Sequence, residues 1–327
     1  MSGQITPTIG FIGLGIMGGP IALHARQAGF PLVVHDVRKD AATAHLAAGA
    51  TWADSPRAVA EQSDAVFTCL PNLAQIEVVA LGANGVLEGI RPGCAFFEMS
   101  TNSPELIDKL HKAFAARGAF MLDAPVSGGA LGAKRGRLAI WVGGDKSVYQ
   151  RFEPVLRAMG DHPVHVGAVG AGMITKIVHN CASQSMQAAF VESFVLGVKA
   201  GADPLPLWEA IRQGSIGRRR TFDGFVDEVL PARFDPPNAA LRITQKDLTI
   251  ATDLGRRLGV PMPFAELALA DVEIAVERGW GERDTRSVTL LPQERAGVGI
   301  KVDPAAIEEV LRRDPPAPTD AKRGHGA

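Results

Sequence analysis

Thr8-Ile-Gly-Phe-Ile-Gly13-Leu-Gly15-Ile-Met-Gly18 is the stretch on which the fold turns. A short apolar run enters three glycines, and the chain then continues from Ile21 to Gln27 in a pattern that predicts a helix ended by Gly29. A second apolar run, Pro31-Leu-Val-Val-His-Asp36, follows and closes on an acid. A Gly-x-Gly-x-x-Gly by itself often marks only a turn. Here it follows a predicted strand, opens a predicted helix and is followed by an acid at the end of the next strand, which is the full context of a dinucleotide fingerprint.

Each glycine has a task in that context. Gly13 makes the tight turn, Gly15 lets backbone approach a pyrophosphate, and Gly18 lets the helix pack on the sheet. With Leu14, Ile16 and Met17 between them, these residues are the predicted phosphate-binding contacts. The helix N-terminus supplies N–H groups and a dipole that favour an anion. A carboxylate at Asp36 suits the two ribose hydroxyls and repels a 2′-phosphate, so the predicted cofactor is NAD; Arg38 and Lys39 next to it soften that preference toward NADP.

The alternation of strand and helix continues through the first half. Asp64–Leu70, Ala95–Met99, Phe120–Asp123, Ile140–Gly143 and Val164–Val166 read as strands, and Ser55-Pro56 and Ser103-Pro104 read as helix starts. Such alternation predicts a doubly wound, mostly parallel sheet of Rossmann type. Ligands of such sheets lie beyond the carboxyl ends of the strands. Leu70-Pro71, Thr101 and Ser127-Gly128-Gly129 all follow strand ends and belong on that rim. Leu70-Pro71 also fits an ordinary strand stop. Ser127 to Gly136 reads either as a flexible glycine-rich loop or as a concave anion site of stacked N–H groups, with a substrate carboxylate as guest.

From Gly170 the character changes. Gly170-Ala-Gly-Met-Ile-Thr-Lys176-Ile-Val-His-Asn180 opens a segment to about Gly201 with no proline and almost no charge. Met173, Ile177, Cys181, Ala188, Phe194 and Val198 recur at helical spacing and predict one long buried helix. Lys176, Asn180, Ser183, Gln184 and Gln187 form a polar stripe along it. Read alone, the stripe fits a core helix with a snorkelling lysine as well as it fits a site. Beyond it only helices and turns are predicted. The domains read as a Rossmann-type domain over 1–167, an all-helical domain over 168–313 and a disordered tail over 314–327.

Composition bounds the function. Lys+Arg 34 against Asp+Glu 35 gives a net charge of −1, which offers nothing to nucleic acid or to an anionic membrane. Three dispersed cysteines, Cys69, Cys94 and Cys181, read as reduced residues of a cytoplasmic protein, and no cluster has metal-ligand spacing. The N-terminal residues lack the pattern of a signal peptide, and no apolar run reaches membrane-spanning length.

Four patterns stand in one order: 10–20, Gly-Phe-Ile-Gly-Leu-Gly-Ile-Met-Gly-Gly-Pro; 123–133, Asp-Ala-Pro-Val-Ser-Gly-Gly-Ala-Leu-Gly-Ala; the 170–180 segment; and 246–251, Lys-Asp-Leu-Thr-Ile-Ala. Together they closely resemble the β-hydroxyacid dehydrogenase family over about residues 8–292. The resemblance implies an active site in the cleft between two domains. It implies Lys176 as the catalytic lysine, Asn180 as its substrate-orienting partner, and Ser127, Gly128 and Gly129 as the holders of a substrate carboxylate. Leu70, Pro71 and Thr101 match dinucleotide contacts, and Lys246 matches a lysine that reaches over the cofactor. Two departures stand out. Gln75 replaces a cofactor-contacting asparagine, and Glu98 stands where an aspartate is usual.

The chemistry expected is hydride transfer between NAD and the hydroxyl carbon of a small 3-hydroxy acid, with Lys176 taking or returning the hydroxyl proton. Burial and a neighbouring cationic ring would weaken the lysine's hold on its own proton enough for either role. His179, adjacent to the stripe, reads as structural. An NADPH-dependent reductase of a small semialdehyde is the alternative. Imine reductases share the fold but typically lack the lysine, as do the family's non-catalytic dinucleotide-binding members. Arg218-Arg-Arg220 reads as a solvated face, whereas the resemblance implies a selector of acid substrates; Pro261 to about Gly279 reads as a further helix, and Asp303 to Arg313 as a short capped helix poor in anchors. The family pairs through its helical domains, so a homodimer or homotetramer is implied.

Overall fold

The structure, a computed structural model, describes residues 6–199, 201–213, 225–258 and 262–313. Arg218–Arg220, Pro261 and the tail from residue 314 lie outside them. The chain divides into two compact units, Met1–His179 and Asn180–Ala327.

The first unit is built on one sheet of nine strands: β1 (Ile9–Ile12), β2 (Leu32–His35), β3 (Thr51–Trp52), β4 (Ala65–Thr68), β5 (Ala95–Glu98), β6 (Phe120–Asp123), β7 (Val126–Ser127), β8 (Ala139–Gly143) and β9 (His162–Gly167). The first six are parallel in the order β3-β2-β1-β4-β5-β6, the arrangement of a Rossmann-type dinucleotide fold. β8 runs antiparallel to β6 and β7 and parallel to β9. The two-residue strands β3 and β7 are too short to carry a period and were not predicted.

Register makes the rim level. Ile12 lies opposite both His35 and Thr68, Thr68 opposite Glu98, and Glu98 opposite Asp123. Five strands therefore end in one row, and the chain order reverses between β1 and β4. Beneath that row Phe67 stacks on Phe11 at 6.4 Å and on Phe97 at 4.5 Å, and Phe152 meets Phe97 edge-on at 5.6 Å. All four rings are fully buried, and each pair adds about 1 kcal/mol beyond area burial. The flanking helices start where predicted: Ser55 accepts from the N–H of Ala58 at 3.1 Å and Ser103 from that of Leu106 at 3.2 Å, each ahead of a proline.

Three expectations change. Residues Gly129–Arg135 form a helix and not a glycine-rich loop. Gly136, at φ +64, provides its left-handed end, and a Cβ at Gly132 would lie 2.8 Å from the Arg137 carbonyl oxygen. The long helix, Ala171–Lys199, is not buried all round: Met173, Ile177 and Phe194 are buried, whereas Ile174, Val178 and Met186 are exposed. Steps of four carry those three residues onto one outward face. The last helix, Pro304–Arg313, is anchored after all, because Ile307 and Val310 lie one turn apart and are both buried.

The second unit is helical among its described residues, apart from one isolated bridge between Ala240 and Asp284. One core gathers Phe194, Trp208, Phe225, Leu230 and Ile307; another gathers Leu241, Leu248, Leu269, Val272 and Leu291. Phe234 to Asn238 leads into the helix Leu241–Leu258, and the helix Pro263–Ala275 follows it. Among the described residues, no helix is long and apolar enough to cross a membrane.

A buried polar knot ties this unit. Glu228, 4% exposed, receives Arg286 Nη1 at 2.9 Å and the Asn238 side-chain amide. The fully buried Asp284 accepts the backbone N–H groups of Asn238 and Arg286, both at 2.9 Å. Burial, reinforced by the charges of Asp284 and Asp227 and opposed by Arg286, pushes the Glu228 carboxyl up to about 7. The folded state thus holds this proton more tightly than the unfolded chain does. The associated stability is complete below the ordinary carboxylate range and is lost as pH rises through 7. Between about pH 5 and pH 8, thermal unfolding of the native protein should lose stability, by up to about 3 kcal/mol, that Glu228→Gln does not lose. Parallel pH dependences in the two proteins would contradict this.

Candidate functional site

The glycine turn sits where β1 and β4 part. Gly13, at φ +94, donates its N–H to the His35 carbonyl at 3.0 Å, and a Cβ there would lie 2.3 Å from the Cys69 carbonyl oxygen. A Cβ at Gly18 would lie 2.0 Å from the Gly13 oxygen. Both glycines are therefore required by the protein's own packing. Gly15 differs: its φ is not in the left-handed region, and an added Cβ would meet nothing within 4 Å. Its missing side chain leaves a cradle open to an outside group. The helix Gly18–Gln27 begins without a side-chain cap and without an acid in its first turn, which leaves the dipole uncompensated for an incoming anion. These residues fit a dinucleotide pyrophosphate.

Asp36 does more than the sequence suggested. One carboxylate oxygen accepts the Leu14 N–H at 2.7 Å and the other accepts the Arg38 N–H at 2.9 Å. The acid fixes the turn itself, and each oxygen keeps capacity for a ribose hydroxyl. Ile16 and Val37 beside it are 73% and 94% exposed, two apolar side chains left at the mouth of the turn.

Along the rim, Thr68 donates its hydroxyl to Glu98, and Glu98 accepts the Ser100 N–H at 2.7 Å. Ser100 in turn accepts the Leu70 N–H at 2.8 Å. The fully buried Glu98 therefore staples the ends of β4 and β5, and the Leu70-Pro71 turn is tied to Ser100. Thr101 is half-buried, with Asn102 fully buried next to it. The Gln75 N–H is spent on the Asn72 cap at 2.9 Å, and Gln75 itself is exposed.

Ser127 ends β7, half-buried, opposite Ala139. Gly128 has φ +140, and a Cβ there would crowd Leu138 and the Arg137 carbonyl at 2.8 and 2.9 Å. Gly129 has φ +63 with open space where a side chain would be. Lys176 and Asn180 are both half-buried, one turn apart on the long helix. His179 is exposed and lies against Trp141, ring centres 5.0 Å apart.

Sequence reasoning gave Asp247 no role. In the second unit Asp247 accepts the Asn180 amide N–H at 2.7 Å, and its other oxygen lies 3.3 Å from the Lys246 ammonium. A carboxylate only accepts, so the Asn180 amide is turned with its nitrogen toward Asp247. The adjacent Lys-Asp pair in the fourth pattern was the available signal.

Residues 8–170 match the NAD binding domain of 6-phosphogluconate dehydrogenase, and residues 170–291 match the family described as NAD-binding of NADP-dependent 3-hydroxyisobutyrate dehydrogenase. The chain is 35% identical over 292 residues to 2-(hydroxymethyl)glutarate dehydrogenase of Eubacterium barkeri, covering 89% of this chain and 97% of the relative. It is 34% identical over 288 residues to the NAD-dependent L-serine dehydrogenase of Pseudomonas aeruginosa, covering 86% and 97%. The solved 3-hydroxyisobutyrate dehydrogenase from Salmonella typhimurium superposes with a TM-score of 0.77 at 31% identity, covering 87% of this chain and 99% of that one.

The two kinds of glycine separate by experiment. Gly15→Ala should fold with an unchanged melting temperature and lose NAD affinity by about tenfold or more, because its methyl enters space reserved for the ligand. Gly18→Ala should lose stability first. Unaltered NAD affinity in Gly15→Ala would contradict the assignment.

Proposed function

Because the chain belongs to the β-hydroxyacid dehydrogenase family, we propose that it transfers a hydride between NAD and the hydroxyl carbon of a small 3-hydroxy acid. The observation that carries this reading is the pair Lys176 and Asn180, presented one turn apart on the long helix with the Asn180 amide already oriented by Asp247. When bound, the nicotinamide ring supplies the hydride acceptor for oxidation and the donor for reduction.

The chain's own residues do the rest. The Lys176 amine takes the hydroxyl proton as carbon gives up its hydride, and in the reverse direction its ammonium returns that proton. In its charged form it also stabilises an alkoxide-like oxygen. Asn180 reaches the same oxygen and fixes its direction. The Ser127 hydroxyl and the N–H groups of Gly128 and Gly129 hold the substrate carboxylate, with φ values at both glycines that turn successive N–H groups out of a regular strand. The turn from Gly13 to Gly18, with Leu14, Ile16 and Met17, holds the pyrophosphate, and Asp36 takes the ribose hydroxyls. Leu70, Pro71 and Thr101 on the rim complete the cofactor contacts. Gln75 is kept as a side-chain contact only, and Lys246, held by Asp247, as a further one.

NAD is favoured over NADP by the Asp36 carboxylate, which repels a 2′-phosphate at the ribose edge. The three free cysteines support a reducing, cytoplasmic setting. Self-association is supported by Phe264, Leu267 and Ile274, which expose apolar surface along one face of the helix Pro263–Ala275.

Lys176→Ala should lower the rate of NADH production from short 3-hydroxy acids by at least about a hundredfold. Full turnover on every accepted acid would refute the role. Initial rates should be higher with NAD than with NADP, and Asp36→Ser should narrow the gap. Equal rates in the unaltered protein would refute the assignment of Asp36.

A further inference from the structure

We propose that Asp123 is the positioning residue of the reaction, because its buried carboxylate supplies both bonds of a helix cap to the helix that carries Lys176. This inference rests on the proposed role of Lys176.

Gly170 accepts the first bond of the long helix, from the Ile174 N–H at 2.9 Å, and so stands at its N-cap; Met173 is the third helical residue. In a capping box the N-cap side chain bonds the N–H of the third residue, and that residue's side chain bonds back to the N-cap N–H. Here neither position can do so, since one is glycine and the other apolar. Asp123 provides both bonds from the end of β6. One oxygen accepts the Gly170 N–H at 2.7 Å and the other accepts the Met173 N–H at 2.6 Å.

The surroundings are shaped around that carboxylate. Asp123 is fully buried. A Cβ at Gly143 would lie 2.5 Å from one of its oxygens, and a Cβ at Gly172 would lie 2.9 Å from the other and 2.3 Å from the Trp141 carbonyl. The Asn102 N–H points at the Met173 sulfur, 3.3 Å away, so a second rim segment grips the same turn. Lys176 follows Met173 by three residues, and Ser127 follows Asp123 by four. One acid therefore sets the first turn of the Lys176 helix against the chain segment that leads into Ser127, Gly128 and Gly129. A positioned general base loses much of its effect when displaced by about an ångström.

The test is a double-mutant cycle on the full-length protein. Asp123→Asn keeps one accepting oxygen and turns a donor toward the other N–H. Gly170→Ala disturbs the same cap from the helix side, through its φ of +93 and without a clash. Each variant should lower kcat by about tenfold or more while NAD affinity, read by NADH fluorescence, stays within about twofold. The double variant should lose no more than the worse single one, because both break one contact. In each variant the amides of residues 173–177 should also exchange hydrogen faster. Unchanged kcat, losses that multiply, or a loss traced wholly to NAD affinity would overturn the proposal. Should Asp123→Asn fail to fold, Gly170→Ala decides by the same kcat and affinity readings. An unaltered protein without turnover on any 3-hydroxy acid would count against the proposed function alone. The exchange rates would then decide the cap, and unchanged rates would overturn it.

Discussion

A carboxylate buried away from solvent seats the start of the long helix in the first unit. Asp123 stands at the end of β6, in the row where five strands stop, and its two oxygens are both committed to backbone N–H groups of the long helix. A buried acid is tolerated only when its oxygens are satisfied, and the start of a helix is the richest local source of N–H donors. Burial raises the Asp123 carboxyl above the usual range, and the N–H groups of Gly170 and Met173 work against that rise. The cost of burying the acid and the cost of leaving a helix start uncapped offset each other. The first turn of the helix has one seat as a result, and Lys176 is placed from it.

Two other places along the row follow the same logic. Asp36 lies just past β2 and spends its oxygens on the Leu14 and Arg38 N–H groups, while Glu98 ends β5 and joins Thr68 to Ser100. Three acids at or just past three strand ends thus pin three rim segments. Glu98 is fully buried and serves as the staple between two strands. The rim can then present glycines whose side-chain space is open, at Gly15 and Gly129, without the segments collapsing into it.

Much of this was legible in the residues. Strands buried on both faces appear as continuous apolar runs, and their ends are marked by glycine, proline or serine, so the rim could be read. The glycine turn and Asp36 are close in sequence and announce themselves. The helix Gly129–Arg135 was hidden because glycine is a poor helix former; what holds it is Gly136 at its end and close backbone packing at Gly132. The caps and ties were hidden for a different reason. Asp123 acts across 47 and 50 residues, and Asp247 across 67, and no local pattern encodes a partner so far along the chain. The exposed face of the long helix was missed because apolar residues were counted by period and not by side.

The central claim is that the Lys176 amine meets the reacting oxygen. A crystal structure with NAD and a short 3-hydroxy acid bound tests it most directly. The account predicts Lys176 Nζ within about 3 Å of the substrate hydroxyl oxygen and the substrate carboxylate on the Ser127-Gly128-Gly129 segment. A substrate hydroxyl held by other groups, with the Lys176 amine turned away from it, would contradict the account.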